Sequence, residues 1–425
     1  MANNNSKKNY YSCWSDLLPQ EMLELIMARV ATTMDLLRCR SVCHSWRSAA
    51  VRFINNNGVA KSSTFTPLLL LYSNKNLYDD DSKLLCLGRN TTMEYRFRRP
   101  KMRRLPYKDN GPEKFTEGRI EFTKAMESVW RRDDSVIDEE AEAVNSGSGV
   151  AIPRRTTYVA PHRGWLLLYS SRETALYLFN PFSRMVVQLP PPPPRPIFYD
   201  PTKLNFISSS ILTDPTCMLY VYTTNSHINL REITMYRFSD KEWTPVFTRN
   251  YICCSMIFYQ GNFYSVDWFG VLRRCLFDKS YSNYKEEEVC NVTSTNNPFR
   301  YLVESWFGEL LMVVRNHDFY RDSNGKSKRR TKSFEIFKLN WSNGKWEKVR
   351  NFGDQALFLA RNDSKFISVR NNPDYKPNSI YFIEDANSWN EDFGVYNLEN
   401  SEIEPLNLSH EQMQYSYYRW FQPVL

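Results

Sequence analysis

The groups in this chain that could do chemistry are few and far apart. Five histidines stand at 44, 162, 227, 317 and 410, too scattered to frame a metal site. Nine cysteines lie at 13, 39, 43, 86, 217, 253, 254, 275 and 290. Cys253 and Cys254 are adjacent, but on a strand neighbouring side chains point to opposite faces, so the two thiols cannot easily share one ion. Core packing is the better role for them. Gly325-Lys-Ser327 has the ending of a phosphate-cradling loop, whose backbone N–H groups and lysine would hold an anion. The first glycine of that motif belongs at position 320, which is Tyr. A His-Glu-x-x-His helix, a Gly-x-Ser-x-Gly elbow and a dinucleotide glycine pattern are all missing from the sequence. No catalytic residue, metal ligand or cofactor is assigned. An enzyme would need a site assembled from distant loops.

The elements that would have to position any function begin with helices. Trp14-Ser-Asp-Leu-Leu-Pro19 opens onto a helix over residues 20–30, where Pro19 suits a first turn because its missing N–H costs nothing. Met22, Ile26 and Val30 fall at i, i+4, i+8 with Leu23 and Met27 beside them, predicting one wide apolar face. Asp35 stands at the start of a second helix in which Leu36, Cys39, Cys43 and Trp46 repeat at helical spacing. A unit of about forty residues cannot bury two such faces alone, so a partner or the next domain must cover part of them. An ordinary helical hairpin packed on its own protein is the alternative.

Helical periodicity stops near residue 54, and the remainder is rich in Tyr (26), Phe (26) and Trp (11) in short apolar runs, which favours strands. Gly164-Trp-Leu-Leu-Leu-Tyr169, Gly261-Asn-Phe-Tyr-Ser-Val266 and Gly308-Glu-Leu-Leu-Met-Val-Val314 each join a turn glycine to a strand. Their starts are spaced like two periods and one period of a repeat of roughly 45–50 residues, the mark of a β-propeller. Units near 62–107, 157–190, 204–248, 252–289, 299–349 and 355–405 give about six irregular blades. A β-sandwich is the alternative. The expected organisation is therefore α+β multidomain: a disordered N-terminus 1–13, a small all-α domain 14–54, and a mainly-β propeller-like domain 62–425 with a charged flexible insertion at 108–156. A short helix around Thr123–Arg131 is an option within that insertion. The polyproline run 190–194 reads as a stiff connector between strands, with capture by a proline-binding partner as the alternative.

Charge and targeting narrow the classes further. The net charge of +8 is concentrated in tracts: Arg96–Arg104 holds six basic residues, and Lys326, Lys328, Arg329, Arg330 and Lys332 crowd a second. Asp133–Glu142 holds six acidic ones. The tract 326–332 reads as a solvated loop between strands, and a nuclear-import signal is the alternative. The N-terminus has no apolar signal region and no apolar run approaches a membrane span, so an intracellular, reducing setting in nucleus and/or cytoplasm is expected, with no membrane association.

Leu18-Pro19 followed by two short amphipathic helices, the second ending Val42-Cys43-x-x-Trp46-Arg47, resembles an F-box. Phe358-Leu-Ala-Arg-Asn, Lys376-Pro-Asn-Ser-Ile-Tyr-Phe-Ile383 and Phe393-Gly-Val-Tyr-Asn-Leu398 look like the C-terminal signature of the kelch-related β domain that follows the F-box in a large plant family. The resemblance implies a non-catalytic substrate receptor of a Skp-cullin-F-box ubiquitin ligase. Residues 14–50 would bind a Skp-type adaptor, and through it a cullin-RING ligase, with Leu18, Pro19, Ile26, Leu36, Val42, Cys43 and Trp46 at the matching positions. The β domain would recruit an unidentified protein. The competing reading is a nuclear or nucleic-acid-associated scaffold using tracts 96–104 and 326–332, which no nucleic-acid-binding motif supports.

Overall fold

The computed structural model describes residues 18–29, 39, 44–56, 67–72, 83–87, 92–96, 156–170, 174–181, 185–191 and, with short interruptions, 204–422. The expected disordered stretch 1–13, the insertion 108–156 apart from Thr156, the option of a helix at 123–131, most of tract 96–104, and Leu36, Val42 and Cys43 lie outside these residues.

The N-terminal pair consists of α1 (Gln20–Arg29) and α2 (His44–Asn56). The Pro19 carbonyl accepts from the Met22 and Leu23 amides, starting the first turn. Glu21 in that turn and Arg29 in the last one complement the helix dipole. Leu23 and Met27, at i and i+4, bury completely against Ala49 and Ala50, whose small side chains let the helices approach closely. This rotates the expected apolar face: Met22 is exposed, because α2 packs on the Leu23–Met27 stripe instead. The second helical segment also differs from expectation. Trp46 does not end a helix but stands in the first turn of α2, which runs on to Asn56.

The remaining described residues form six sheets. Sheet I holds β1 (Leu68–Tyr72), β2 (Lys83–Leu87) and β3 (Thr92–Arg96). Sheet II holds β4 (Thr156–His162), β5 (Trp165–Ser170), β6 (Ala175–Phe179) and β7 (Val186–Gln188). Sheet III holds β8 (Leu204–Ser208), β9 (Met218–Thr223), β10 (Arg231–Arg237) and β11 (Glu242–Arg249). Sheet IV holds β12 (Cys253–Tyr259), β13 (Asn262–Asp267), β14 (Leu272–Phe277) and β15 (Tyr284–Cys290). Sheet V holds β16 (Phe299–Glu304), β17 (Leu310–Arg321), β18 (Ser327–Asn340) and β19 (Lys345–Val349). Sheet VI holds β20 (Gln355–Leu359), β21 (Lys365–Ser368), β22 (Ser379–Phe382), β23 (Gly394–Asn397) and β24 (Ile403–Glu404). The last strand, β25 (Tyr417–Phe421), returns to pair antiparallel with β1 and completes sheet I.

Local sequence explains the hairpins. Arg163-Gly164 and Gln260-Gly261 are two-residue turns with φ of 46° and 78°, and 44° and 81°. Positive φ at both positions matches the twist of flanking strands, and glycine takes the second at no steric cost. Trp165–Ser170 and Ala175–Phe179 are buried throughout, as continuous apolar runs must be when sheets cover both faces.

The sheets close into a ring. Shared apolar clusters join II to III, III to IV, IV to V, V to VI and VI to I, while β25 touches β4 across the remaining seam. Trp420 of β25 is fully buried and meets Phe358 of sheet VI edge-on at 4.9 Å. Both ends of the β domain are thus locked in one sheet. A closed ring of sheets is a propeller and excludes the sandwich. The start of the polyproline run follows sheet II, where Trp243 Nε1 of sheet III donates to the Pro190 carbonyl at 2.9 Å, and residues 192–194 of the run lie outside the described residues.

Candidate functional site

Two surfaces stand out, one on the helices and one on the ring. On α1, Met22 and Leu25 point away from the Leu23–Met27 stripe and are exposed, and Pro19, just ahead of the helix, is exposed as well. Among the sequence-nominated positions, Leu18, Ile26 and Trp46 are half-buried against the helical cluster, together with Cys39 and Phe53. Pro19 is exposed. Met22 and Leu25 were not nominated. Their exposure becomes legible only once α2 shows which stripe is buried.

On the ring, sheet V departs from its neighbours. β17 and β18 run 12 and 14 residues, whereas β16 covers only Leu310–Arg315 and β19 only Ile336–Asn340. Residues 316–321 and 327–335 therefore continue as a two-stranded ribbon with no further strand on either edge among the described residues. A β-bulge at Asn316/His317 marks where it leaves the sheet, the place where such a kink re-aims a strand. Here the expected loop at 326–332 is corrected. Tract residues from Lys328 to Lys332 lie on β18, with Phe319 opposite Arg329 and Tyr320 opposite Lys328, while Lys326 lies outside the described residues. The strand escaped notice because both its faces are polar and no core imposes alternation on it.

The base of the ribbon is tied down from inside. Arg315 is 1% exposed, and its guanidinium donates to Thr331 Oγ1 at 2.7 Å, Tyr301 OH at 3.3 Å, the Ile383 carbonyl at 2.8 Å and Asp392 Oδ2 at 3.0 Å. Asp392 Oδ2 also accepts from the Thr331 amide at 3.0 Å and hydroxyl at 2.7 Å. The Phe382 ring covers the guanidinium at 4.8 Å. Beside this knot, Phe299 gathers Trp268 at 5.5 Å, His317 at 5.1 Å and Arg329 at 4.3 Å. Burial, then Arg315 and Arg329, push the His317 pKa down to about 3, so the ring is neutral at physiological pH. Towards the tip, Phe319 is 77% and Tyr320 48% exposed.

The other end of sheet V carries a cavity of about 530 Å³ against sheet VI, lined by Trp306, Phe307, Phe352, Asp354, Phe366 and Arg370 among others. At the ring axis, the segment after β20 reaches across to other sheets. Asp363 Oδ2 accepts from the Arg163 amide, the Asp363 carbonyl accepts from Gln422 Nε2, and Ser255 Oγ donates to the Arg361 carbonyl. His162 Nδ1 lies 3.7 Å from Asp363, and its Nε2 accepts from the Ser208 amide. Both residues are buried and braced by backbone, which suits a structural clasp rather than a reacting dyad. Among the described residues no group of His, Cys, Asp and Glu could hold a metal ion. Gly325 sits in the ribbon's turn rather than between a strand and a helix, so the phosphate-loop likeness ends there. No helix among the described residues is long and apolar enough to cross a membrane.

Comparison with known proteins agrees with this layout. Residues 139–397 match the family described as KIB1-4 beta-propeller, and residues 15–54 match the F-box-like family. The chain is similar to the Arabidopsis thaliana "Putative F-box protein At5g55150", 24% identical over 88% of this chain and 86% of that one. A second Arabidopsis thaliana relative, "Putative F-box protein At5g66830", is 21% identical over 98% of this chain and 94% of that one. Among solved structures, a "putative 6-phosphogluconolactonase from Bacteroides uniformis" overlaps at a TM-score of 0.33 and 12% identity, covering 80% of this chain and 95% of that one. That overlap is too loose to carry an argument.

Proposed function

Because this chain belongs to the KIB1-4 beta-propeller family and carries an F-box-like segment ahead of the ring, we propose that it is the substrate-recognition subunit of a Skp-cullin-F-box ubiquitin ligase. The observation that carries the reading is the F-box-like match at 15–54 on a helix pair that leaves Pro19, Met22 and Leu25 uncovered. An apolar helix stripe of this kind is what a hydrophobic groove accepts. Leu18, Ile26 and Trp46 then act by shaping the helix pair, while Leu36, Val42 and Cys43 remain nominated contacts. The receptor works without chemistry of its own. It raises the effective concentration of a bound protein's lysines beside a ubiquitin carrier held elsewhere. It acts in the nucleus and/or cytoplasm, where that machinery operates.

The test is a pull-down with a purified Skp-type adaptor. Met22→Glu with Leu25→Glu places two charges in the proposed contact and leaves the Leu23–Met27 interior untouched. Adaptor capture is expected to fall at least about tenfold, as loss of central interface anchors does. Undiminished capture by a folded double variant overturns the docking face.

A further inference from the structure

The turn between β16 and β17 holds two large aromatic side chains out into solvent and holds them still. The Ser305 amide donates to the Glu309 carbonyl at 2.8 Å, and the Gly308 amide donates to the Ser305 carbonyl at 3.0 Å. Ser305 Oγ accepts from the Phe307 amide at 3.2 Å and the Glu309 amide at 3.1 Å. From sheet IV, Tyr259 OH donates to the Gly308 carbonyl at 2.7 Å. At the tip of this fixed turn Trp306 is 41% and Phe307 78% exposed. Behind it opens the cavity of about 530 Å³, whose apolar wall includes Phe352 and Phe366, edge to face at 4.9 Å. That volume is in the range of about 300–1,000 Å³ usual for binding sites.

We propose that this cavity and the turn 305–309 bind a short extended segment of another protein, with one large uncharged apolar side chain of that segment seated in the cavity. Three observations choose this occupant. Every charged residue of the lining already has a partner: Glu309 Oε1 lies 3.2 Å from Lys338 Nζ, and Arg370 Nε donates to Asp354 Oδ2. A phosphate or a charged side chain would have to break one of these pairs, whereas an apolar group leaves both intact. Gln355 lines the cavity with a side-chain amide that makes no hydrogen bond among the described residues. Its donor and acceptor together match what a peptide backbone offers. The aromatic surface also runs beyond the cavity, since Trp341, 46% exposed, lies parallel to Tyr259 at 6.1 Å beside the same turn. A small molecule inside the cavity would leave Phe307 and Trp341 in water, while a polypeptide crossing its mouth covers them, and exposed aromatics on rigid supports are typical interface anchors. That the segment belongs to a protein destined for ubiquitination rests on the receptor reading above; the site itself does not.

The full chain is screened against a phage library of random octapeptides, with Trp306→Ser/Phe307→Ser as the counter-selection target. Selected peptides are then measured by fluorescence anisotropy. They are expected to share a large apolar residue in an otherwise uncharged sequence. The double variant should bind them at least about tenfold more weakly with its melting temperature unchanged, because both side chains are exposed. Raising the salt, or Arg370→Ala, should change affinity less than about twofold, since no ion pair forms on binding. Four results overturn the proposal: no enriched peptide, equal binding by the double variant, an affinity that collapses with salt or with Arg370→Ala and so marks an anion site, or a dimer of this chain in sedimentation that the double variant dissolves. Adaptor capture separates this site from the receptor reading. Lost capture by the Met22 and Leu25 variant with peptide binding intact leaves the cavity standing, and lost peptide binding by the Trp306 and Phe307 variant with capture intact leaves the docking helix standing.

Discussion

Asp392 and Asp363, two of the carboxylates buried among the described residues, are held in opposite ways. Asp392, under the ribbon, meets a full cation: Arg315 Nη2 at 3.0 Å, with the Thr331 amide and hydroxyl completing its oxygen. Asp363, at the axis, has the Arg163 amide at 3.3 Å and His162 Nδ1 at 3.7 Å. Burial raises the Asp363 pKa to about 6, against the lesser pull of Arg163 and Lys365. Burial likewise lowers Lys365 to about 8, although Asp363 opposes this. The contrast tracks mechanical duty. At the ribbon's base a buried guanidinium and a buried carboxylate neutralise each other directly, so the two long strands leave the sheet from a compensated site. A clasp at the axis is already fixed by the sheets around it and can tolerate an imperfectly compensated charge.

The largest test of that contrast is Asp392→Ala. It leaves the guanidinium of Arg315, 1% exposed, without its counter-ion and the Thr331 hydroxyl without an acceptor. Removing one partner of a buried ion pair costs about 3–5 kcal/mol, so the urea midpoint should fall sharply. Replacing both residues with apolar ones, Arg315→Met with Asp392→Leu, should recover much of the loss. A single variant within 1 kcal/mol of the wild type, on the order of an exposed pair, would break the claim that this knot anchors the ribbon.

The axis predicts a smaller effect of opposite sign. The folded pKa of Asp363 lies above its usual value of 3.8, so the folded chain binds a proton there that the unfolded chain has already released. Stability is therefore lost as pH rises from about 4 towards 6 and does not return above it. Asp363→Asn keeps an oxygen for the Arg163 amide and removes the titration. Its stability relative to wild type should climb over that pH window by on the order of 1–3 kcal/mol and then level off. Arg163, Lys365 and His162 face the same carboxyl, and none of them is altered. A difference between variant and wild type that is flat from pH 4 to 7 would mean the axis compensates the charge as fully as the knot does.

How much of this was readable beforehand depends on how local the cause is. Gly164 and Gly261 announced their hairpins because the turn and its strands are neighbours in sequence. The apolar runs at 165–170 and 175–179 announced buried strands, and the six units located from such signals each hold a sheet. The rotation of α1 was not readable. Met22 and Leu23 are equally apolar, and only the alanines of α2 decide which is buried. The ribbon was hidden because its strands carry mostly polar side chains there and so show no apolar period. The knot was hidden for another reason: Arg315 and Asp392 are 77 residues apart, and no pattern on either side of them marks the pairing. Of the seven nominated docking positions, the sequence marked the apolar residues but not which of them face outward.

The smallest effect is expected at the ribbon's exposed pair, where the comparison is sharpest. Lys332 and Asp318 are 3.1 Å apart but 62% and 64% exposed. Solvent screens such a pair, and holding two mobile side chains together costs entropy, so Asp318→Asn should leave stability within about 0.5 kcal/mol of wild type. The two ion pairs are almost equally close, 3.0 Å for Arg315–Asp392 and 3.1 Å for Lys332–Asp318, so burial rather than separation sets the difference between them. Whatever small effect Asp318→Asn has should shrink further as salt is added, because the exposed pair is the one that salt screens. Chemical unfolding of variant and wild type at low and at high salt reads both. A large stability loss would place Asp318 with Asp392 as a structural charge.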